Sequence, residues 1–192
     1  SWTGSMRFER FELRGEPAAL VELLRRLIPA PASVAAVVAE IIERVRKDGD
    51  DAVLEYTRGF DTRGAEPLPL RVPDAELEAV AGRLDPDIRR ALERAIANVE
   101  KVAGAERPPE ASLVTLGTNQ VELYRVPVRR AAVYVPAGRA PYPSTVVMGV
   151  VPARVAGVRE IVVCAPPGTD GEVSSLIAAA CRLAGVSALY RM

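Results

Sequence analysis

Apolar positions recur at helical spacing through the first 105 residues, then switch to period two near residue 112, and then to short continuous runs. Glu16 to Leu27 reads as a short helix, ended by Pro29 and Pro31. Ser33 is placed to cap a second helix, whose stripe runs through Val34, Val37, Val38, Ile41, Ile42 and Val45 and stops at Asp48-Gly49-Asp50. Gly49 suits the position just past a helix end. A third helix carries Ala52, Val53, Leu54 and Tyr56 and ends near Gly59-Phe60-Asp61. Asp74 is expected to cap a helix through Leu84. Asp85-Pro86 opens another, because proline in the first turn lacks only an N–H that would be unpaired anyway. Its expected buried face is Ile88, Leu92, Ile96, Val99 and Val102 or Ala103, and Arg107-Pro108-Pro109 breaks it.

The second pattern begins with Leu113, Val114 and Leu116. The turn cluster Gly117-Thr118-Asn119-Gln120 and the alternating run Val121 to Val126 follow, which together read as a β-hairpin. Ala131–Val135 is nearly all apolar, as expected of a strand covered on both faces. Ser144 is placed to cap the next helix, which presents Val146, Val147, Val150, Val151 and Val155 and carries Pro152, where a kink or early end is expected. A strand over Ile161–Ala165, a helix from Glu172 to Leu183 and a strand over Ala188–Met192 complete the chain. Ala156-Gly157-Val158 and Ala184-Gly185-Val186 close the two helices with the same phrase, which points to successive parallel βα units. The class is α/β: a helical N-terminal region, a β-hairpin, then a parallel βαβαβ unit. That unit is incomplete, because a parallel sheet needs helices on both faces. The sequence is therefore expected to be a truncated part of a longer one.

Composition narrows the picture. Basic and acidic residues number 25 each, and this zero net charge argues against a nucleic-acid or membrane-surface partner. No apolar run approaches the roughly 20 residues of a membrane span, and SWTGSMRFERFE lacks the apolar core of a signal peptide. Cys164 and Cys181 sit in apolar patterns without metal-ligand spacing and read as reduced core thiols, which implies a cytoplasmic location. The chain has no histidine, so it cannot by itself form a Ser-His-Asp, Cys-His or His-metal arrangement. Asp48, Asp50 and Asp51 cluster around a glycine, but a helix stop followed by a helix start explains them. A calcium loop would need a later glutamate that is missing.

The candidate chemistry lies in the loop after the first parallel strand, Val135-Pro136-Ala137-Gly138-Arg139-Ala140-Pro141-Tyr142-Pro143-Ser144. Neither GxGxxG nor GxxxxGK[ST] is present, so spacing alone carries little nucleotide signal. Small residues permit close backbone approach, and the following helix start offers free N–H groups and a positive dipole end. In open α/β sheets such a junction commonly receives a nucleotide or another anion. Tyr134, ending the strand, is either rim packing or a surface for a nucleotide's ring or ribose. Arg139 either reaches a phosphate or is solvated.

Two stretches resemble histidinol dehydrogenases. The first is Val38 to Ala52 with its Lys47-Asp48-Gly49-Asp50-Asp51 turn, followed by Tyr56-Thr57 and Phe60-Asp61. The second is Arg130 through Pro167. It holds Tyr134-Val135-Pro136, Ala140-Pro141-Tyr142-Pro143-Ser144-Thr145, Val147-Met148, Val151-Pro152-Ala153 and Ala156-Gly157-Val158. The resemblance covers about Arg7 to Met192. The family usually has Gly-Gly where this chain has Ala137-Gly138, a glycine near Ala131–Val133, and often a histidine within Asn98–Ala105.

The resemblance implies a full-length enzyme, active as a homodimer, that oxidises histidinol to histidine with two NAD and one zinc ion. It implies an N-terminal tail and helix over 1–30, a mostly helical first part of an α/β domain over 31–128, and an incomplete Rossmann-like NAD-binding domain over 129–192. Tyr134, Pro136 and Gly138 are the implied cofactor-binding residues. The family's zinc ligands and catalytic Glu-His pair have no counterpart here, so no catalytic or metal residue is assigned. The chain alone is expected to be inactive, to bind NAD weakly or not at all, and not to bind zinc. The alternative is a non-catalytic nucleotide-binding or oligomerisation module derived from the family.

Overall fold

The computed structural model describes residues 17–26, 32–136 and 140–192. Residues 1–48 and 49–192 form two compact units. In the first, α1 (Pro17–Arg26) and α2 (Ala32–Asp48) are the two N-terminal helices. The prolines expected to end α1 lie outside the described residues. Since α2 begins at Ala32, Ser33 is in its first turn rather than at its cap. Val34, Val37, Val38 and Ile42 on its apolar stripe are all exposed.

The second unit opens at Gly49, whose φ of +60° separates α2 from α3 (Asp50–Phe60). A side chain would be strained at that φ. Asp50 and Asp51 fall in the first turn of α3, where negative charge faces the positive end of the helix dipole. Tyr56 and Phe60 stack one turn apart with ring centroids 5.7 Å from each other.

Helix α4 (Asp74–Gly82) is preceded by the extended Pro73, so Asp74 is its first helical residue and not its cap. Asp85 does cap α5 (Pro86–Glu106): its Oδ1 accepts from Asp87 N at 2.8 Å and Ile88 N at 3.2 Å. Leu92 and Ile96 are buried on α5 and Val99 is partly so. Ile88 and Val102, at the ends of the expected stripe, are exposed.

Strands β1 (Ala111–Leu116) and β2 (Asn119–Tyr124) pair antiparallel across a turn narrowed to Gly117-Thr118, with φ +61° at the glycine. Then come β3 (Arg130–Tyr134), α6 (Pro143–Val155), β4 (Glu160–Ala165), α7 (Ser175–Ala184) and β5 (Ala188–Arg191). The three strands form a parallel sheet in the order β3-β4-β5. Pro143 occupies the first turn of α6, which moves the cap to Tyr142 instead of Ser144. Pro152 does not end α6 early; the helix runs on to Val155. Helix α7 starts at Ser175, later than the expected Glu172. Gly157 (φ +92°) and Gly185 (φ +79°) follow α6 and α7 in the left-handed region, as their shared phrase predicts.

The core lies on one side of this sheet. Val133, Ile161, Val163, Ala165 and Leu189 face α6 and α7, which pack on each other. Helix α5 backs α6 and α4 backs α7. Val146, Val147, Val150, Val151 and Ile177 are essentially inaccessible. The other side differs from the expectation of a strand covered on both faces. Burial alternates along β3, with Ala132 and Tyr134 exposed. Cys164, read from sequence as a core thiol, lies in register with Tyr134 on this open side and is only half-buried.

Candidate functional site

The C-terminal ends of β3, β4 and β5 point to the same edge of the sheet, where ligands of open α/β folds bind. Strand β3 is an outer strand of the described sheet. Tyr134 ends it with 62 % of its surface exposed. Val135 continues the chain into the core, its N–H donating to the Cys164 carbonyl at 2.8 Å, and Pro136 then emerges exposed. Gly138 and Arg139 lie outside the described residues. Tyr134 and Pro136 thus border the route from β3 to α6. No side chain caps α6, and the Thr145 N–H closes a turn onto the Tyr142 carbonyl at 3.0 Å. The start of α6 is therefore not blocked by a residue of its own first turn. An exposed aromatic ring, an exposed proline and a helix start free of a side-chain cap fit the recognition of a nucleotide.

Zinc is different. The chain has no histidine, and among the described residues no three Cys, Asp or Glu side chains are grouped to hold a metal. These residues do not fit a zinc centre.

Sequence reasoning missed the most strongly buried charge among the described residues. Arg191, at the end of β5, is 3 % exposed. Its Nη2 donates to Glu76 Oε1 and Oε2 at 2.8 and 2.9 Å and to Glu172 Oε2 at 3.0 Å. Its Nη1 donates to the Pro69 carbonyl at 3.1 Å, while Nε is buried without a partner. The same stretch pairs with the outer edge of β5, Val72 N to Leu189 O at 2.9 Å and Arg191 N to Leu70 O at 2.7 Å. Arg191 therefore fastens residues 69–76 to the sheet end. The only signal for it in sequence is an arginine closing an apolar strand, and its carboxylate partners are 115 and 19 residues away.

The two thiols are inequivalent. Burial pushes the Cys181 thiol up to about 12, and it raises Cys164 as well. At neutral pH Cys181 is protonated and enclosed, which leaves it inert.

A family profile described as histidinol dehydrogenase matches residues 25–192. The histidinol dehydrogenase of a Synechocystis species is 38 % identical over 177 residues, covering 92 % of this chain and 41 % of its own. That of Methanothermobacter thermautotrophicus is 41 % identical over 156 residues, covering 81 % and 36 % respectively. The crystal structure of histidinol dehydrogenase from Elizabethkingia anophelis superposes with a TM-score of 0.73 at 27 % identity, covering 82 % of this chain and 36 % of that one. The chain spans about two fifths of the length of the curated relatives it matches. The matched span takes in α2 to α7, the hairpin and the parallel sheet, and this chain belongs to the histidinol dehydrogenase family.

Proposed function

We propose that this chain is the N-terminal portion of an NAD-dependent, zinc-requiring histidinol dehydrogenase, and that Tyr134, Pro136 and Gly138 help to hold the dinucleotide. The observation that carries the reading is Tyr134, exposed at the C-terminal end of an outer parallel strand whose following loop leads to the helix start at Pro143. In this reading residues 129–192 are the first part of the NAD domain, and residues 31–128 begin a separate α/β domain behind the tail of residues 1–30. The whole enzyme works in the cytoplasm as a homodimer and oxidises the primary alcohol of L-histidinol to L-histidinaldehyde and then, with water, to the carboxylate of L-histidine. Each oxidation passes one hydride to one NAD.

When bound, the nicotinamide supplies the hydride acceptor. This chain contributes binding and orientation. The Tyr134 ring offers a flat face to the nucleotide. Gly138 lets the backbone approach closely, and the N-terminus of α6 favours the pyrophosphate charge. Proton transfer belongs to residues this chain does not contain, so the chain alone is expected to be catalytically silent.

The test compares the 192-residue chain with a single-chain chimera in which it is continued by the remainder of the Synechocystis relative. With histidinol and NAD, the chain alone should form no NADH and the chimera should. In the chimera, Tyr134→Ala should raise the KM for NAD by roughly tenfold and leave that for histidinol near its starting value. About 1–3 kcal/mol is typical of an aromatic stacked on a base, and about 1.4 kcal/mol is tenfold. NADH formed by the chain alone, or an unchanged KM for NAD, would defeat the reading.

A further inference from the structure

We infer that Arg191 is a positioning residue for the dinucleotide: through Glu172 it holds the turn between β4 and α7 in place as the surface that receives the adenosine half. The inference rests on the proposed placing of NAD at this edge of the sheet, and it adds a second strand end to that site.

Topology assigns the turn. Strands β3, β4 and β5 lie in consecutive order, and a helix precedes each of the last two. In a dinucleotide-binding unit of this order, the junction after the first strand faces the pyrophosphate and the end of the second faces the adenosine ribose. Tyr134 marks the first position and is in register with Cys164. The connection that leaves β4, residues 166–174, therefore starts beside Tyr134 and falls at the second. Within it Pro167 is buried, while Gly168, Thr169 and Asp170 are exposed.

Local bonds shape this turn. The Gly168 N–H donates to the Glu172 carbonyl at 2.8 Å, and the Gly171 N–H donates to the Gly168 carbonyl at 2.9 Å. The Glu172 N–H donates to Asp170 Oδ1 at 3.0 Å. Gly171 has φ +81°, and a Cβ added there would meet Leu68 Cγ at 3.3 Å. Glu172 then joins the turn to the sheet, because its Oε2 accepts from Arg191 Nη2 at 3.0 Å. The same nitrogen holds Glu76 and with it residues 69–76. A planar guanidinium suits this task, since its donors leave in fixed directions and can set two carboxylates against one another. Stability alone is a weak reason for the arrangement. Apolar residues often replace a buried charge cluster without loss, and here Nε is left buried without a partner.

Glu76 and Glu172 separate geometry from stability. In the single-chain chimera, Glu172→Ala releases the turn and leaves residues 69–76 tied, and Glu76→Ala does the reverse. Glu172→Ala should raise the KM for NAD about fivefold or more, with kcat and the KM for histidinol changed by less than about twofold. Glu76→Ala removes two hydrogen bonds of Arg191 rather than one, so it should lower the urea midpoint further. Its KM for NAD should nevertheless stay within about twofold. A merely structural role would rank both effects in the same order. Loss of a negative charge would by itself favour an anionic dinucleotide, so a rise in KM reports the turn. The Ki of 5′-AMP, competing with NAD, should rise by the same factor. Glu172→Gln keeps an acceptor for Nη2 and should restore most of the KM. An unchanged KM for NAD in Glu172→Ala, an equal rise in Glu76→Ala, or a Ki for 5′-AMP that does not move would overturn the inference. Tyr134→Ala is measured alongside. If only Glu172→Ala is without effect, this inference falls and the Tyr134 assignment stands; if only Tyr134→Ala is without effect, the reverse holds.

Discussion

The hairpin β1–β2 and the parallel sheet β3-β4-β5 are built from similarly apolar strands, yet their surroundings differ. Leu113, Leu116, Val121, Leu123 and Tyr124 of the hairpin are all exposed, and no position of either strand is buried. In the sheet, Val163, Ala165 and Leu189 are completely buried. The cause is the connection. A two-residue turn such as Gly117-Thr118 joins antiparallel strands and brings no cover with it. A parallel strand can be reached only by a crossover, and here each crossover contains a helix that lies on the sheet it has just extended. Each βα unit thus carries half of its own core. A hairpin must borrow one, and an isolated two-stranded ribbon is marginal in water.

The sharpest way to break this contrast is at Arg191. Removing its guanidinium takes four strong hydrogen bonds from Glu76, Glu172 and the Pro69 carbonyl. Loss of one partner from a fully buried pair costs about 3–5 kcal/mol. Here Glu76 and Glu172 retain 35 % and 47 % exposure, so water recovers part of that loss. Arg191→Ala is expected to destabilise by about 3 kcal/mol, measured as a lower urea midpoint at unchanged slope. A change under about 0.5 kcal/mol, the range of an ordinary surface substitution, would mean that residues 69–76 are not fastened through this cluster.

Much of this architecture was legible in the sequence because the governing signals are local. Asp85-Pro86 specifies a helix start within four residues. The Ala-Gly-Val phrase marks two helix ends because only a residue tolerant of positive φ fits after the last turn. Ser33, Asp74 and Ser144 misled by a residue or two. Each is a good capping type, but a proline beside two of them fixed the entry: extended Pro73 made Asp74 helical, and Pro143 took the first position of α6. The open face was illegible for a different reason. Ala131–Val135 has the composition of a doubly covered strand, and composition cannot reveal whether the second cover lies within the same 192 residues. Arg191 was illegible because its partners meet it only through the fold. At the candidate site, the strand-end position of Tyr134 could be read from the apolar run that closes at Val135, whereas its exposure depends on which elements surround β3.

A middle-sized test separates a helix seated on the sheet from the end of the helix behind it. A Cβ added at Gly149 in α6 would meet Val133 Cγ1 of β3 at 2.7 Å, whereas one added at Gly104 in α5 meets nothing within 4 Å. Alanine gains about 0.5–1 kcal/mol over glycine in a helix interior. Overpacking costs about 1–3 kcal/mol, and valine's stiff χ1 limits its retreat. Gly149→Ala should therefore destabilise by about 1 kcal/mol. Gly104→Ala, in the last turn of α5, should be neutral or stabilising by up to about 0.5 kcal/mol. Equal effects in thermal melts would mean that α6 does not seat on β3 as closely as the structure places it.

The smallest expected effect completes the comparison. Leu123, 45 % exposed in β2, faces no covering layer, so Leu123→Ser should change the stability of this chain by less than about 0.5 kcal/mol. Ile177, inaccessible under the sheet, is the control, since truncating it to alanine typically costs about 2–5 kcal/mol. Hydrogen exchange gives the same comparison without mutation. Amides of β1 and β2 should exchange through local opening, and those of β4, flanked by two strands, through global unfolding. If Leu123→Ser costs as much as a core truncation, the hairpin already has a cover in this chain. The rule that crossovers bring their own core and tight turns do not would then fail here.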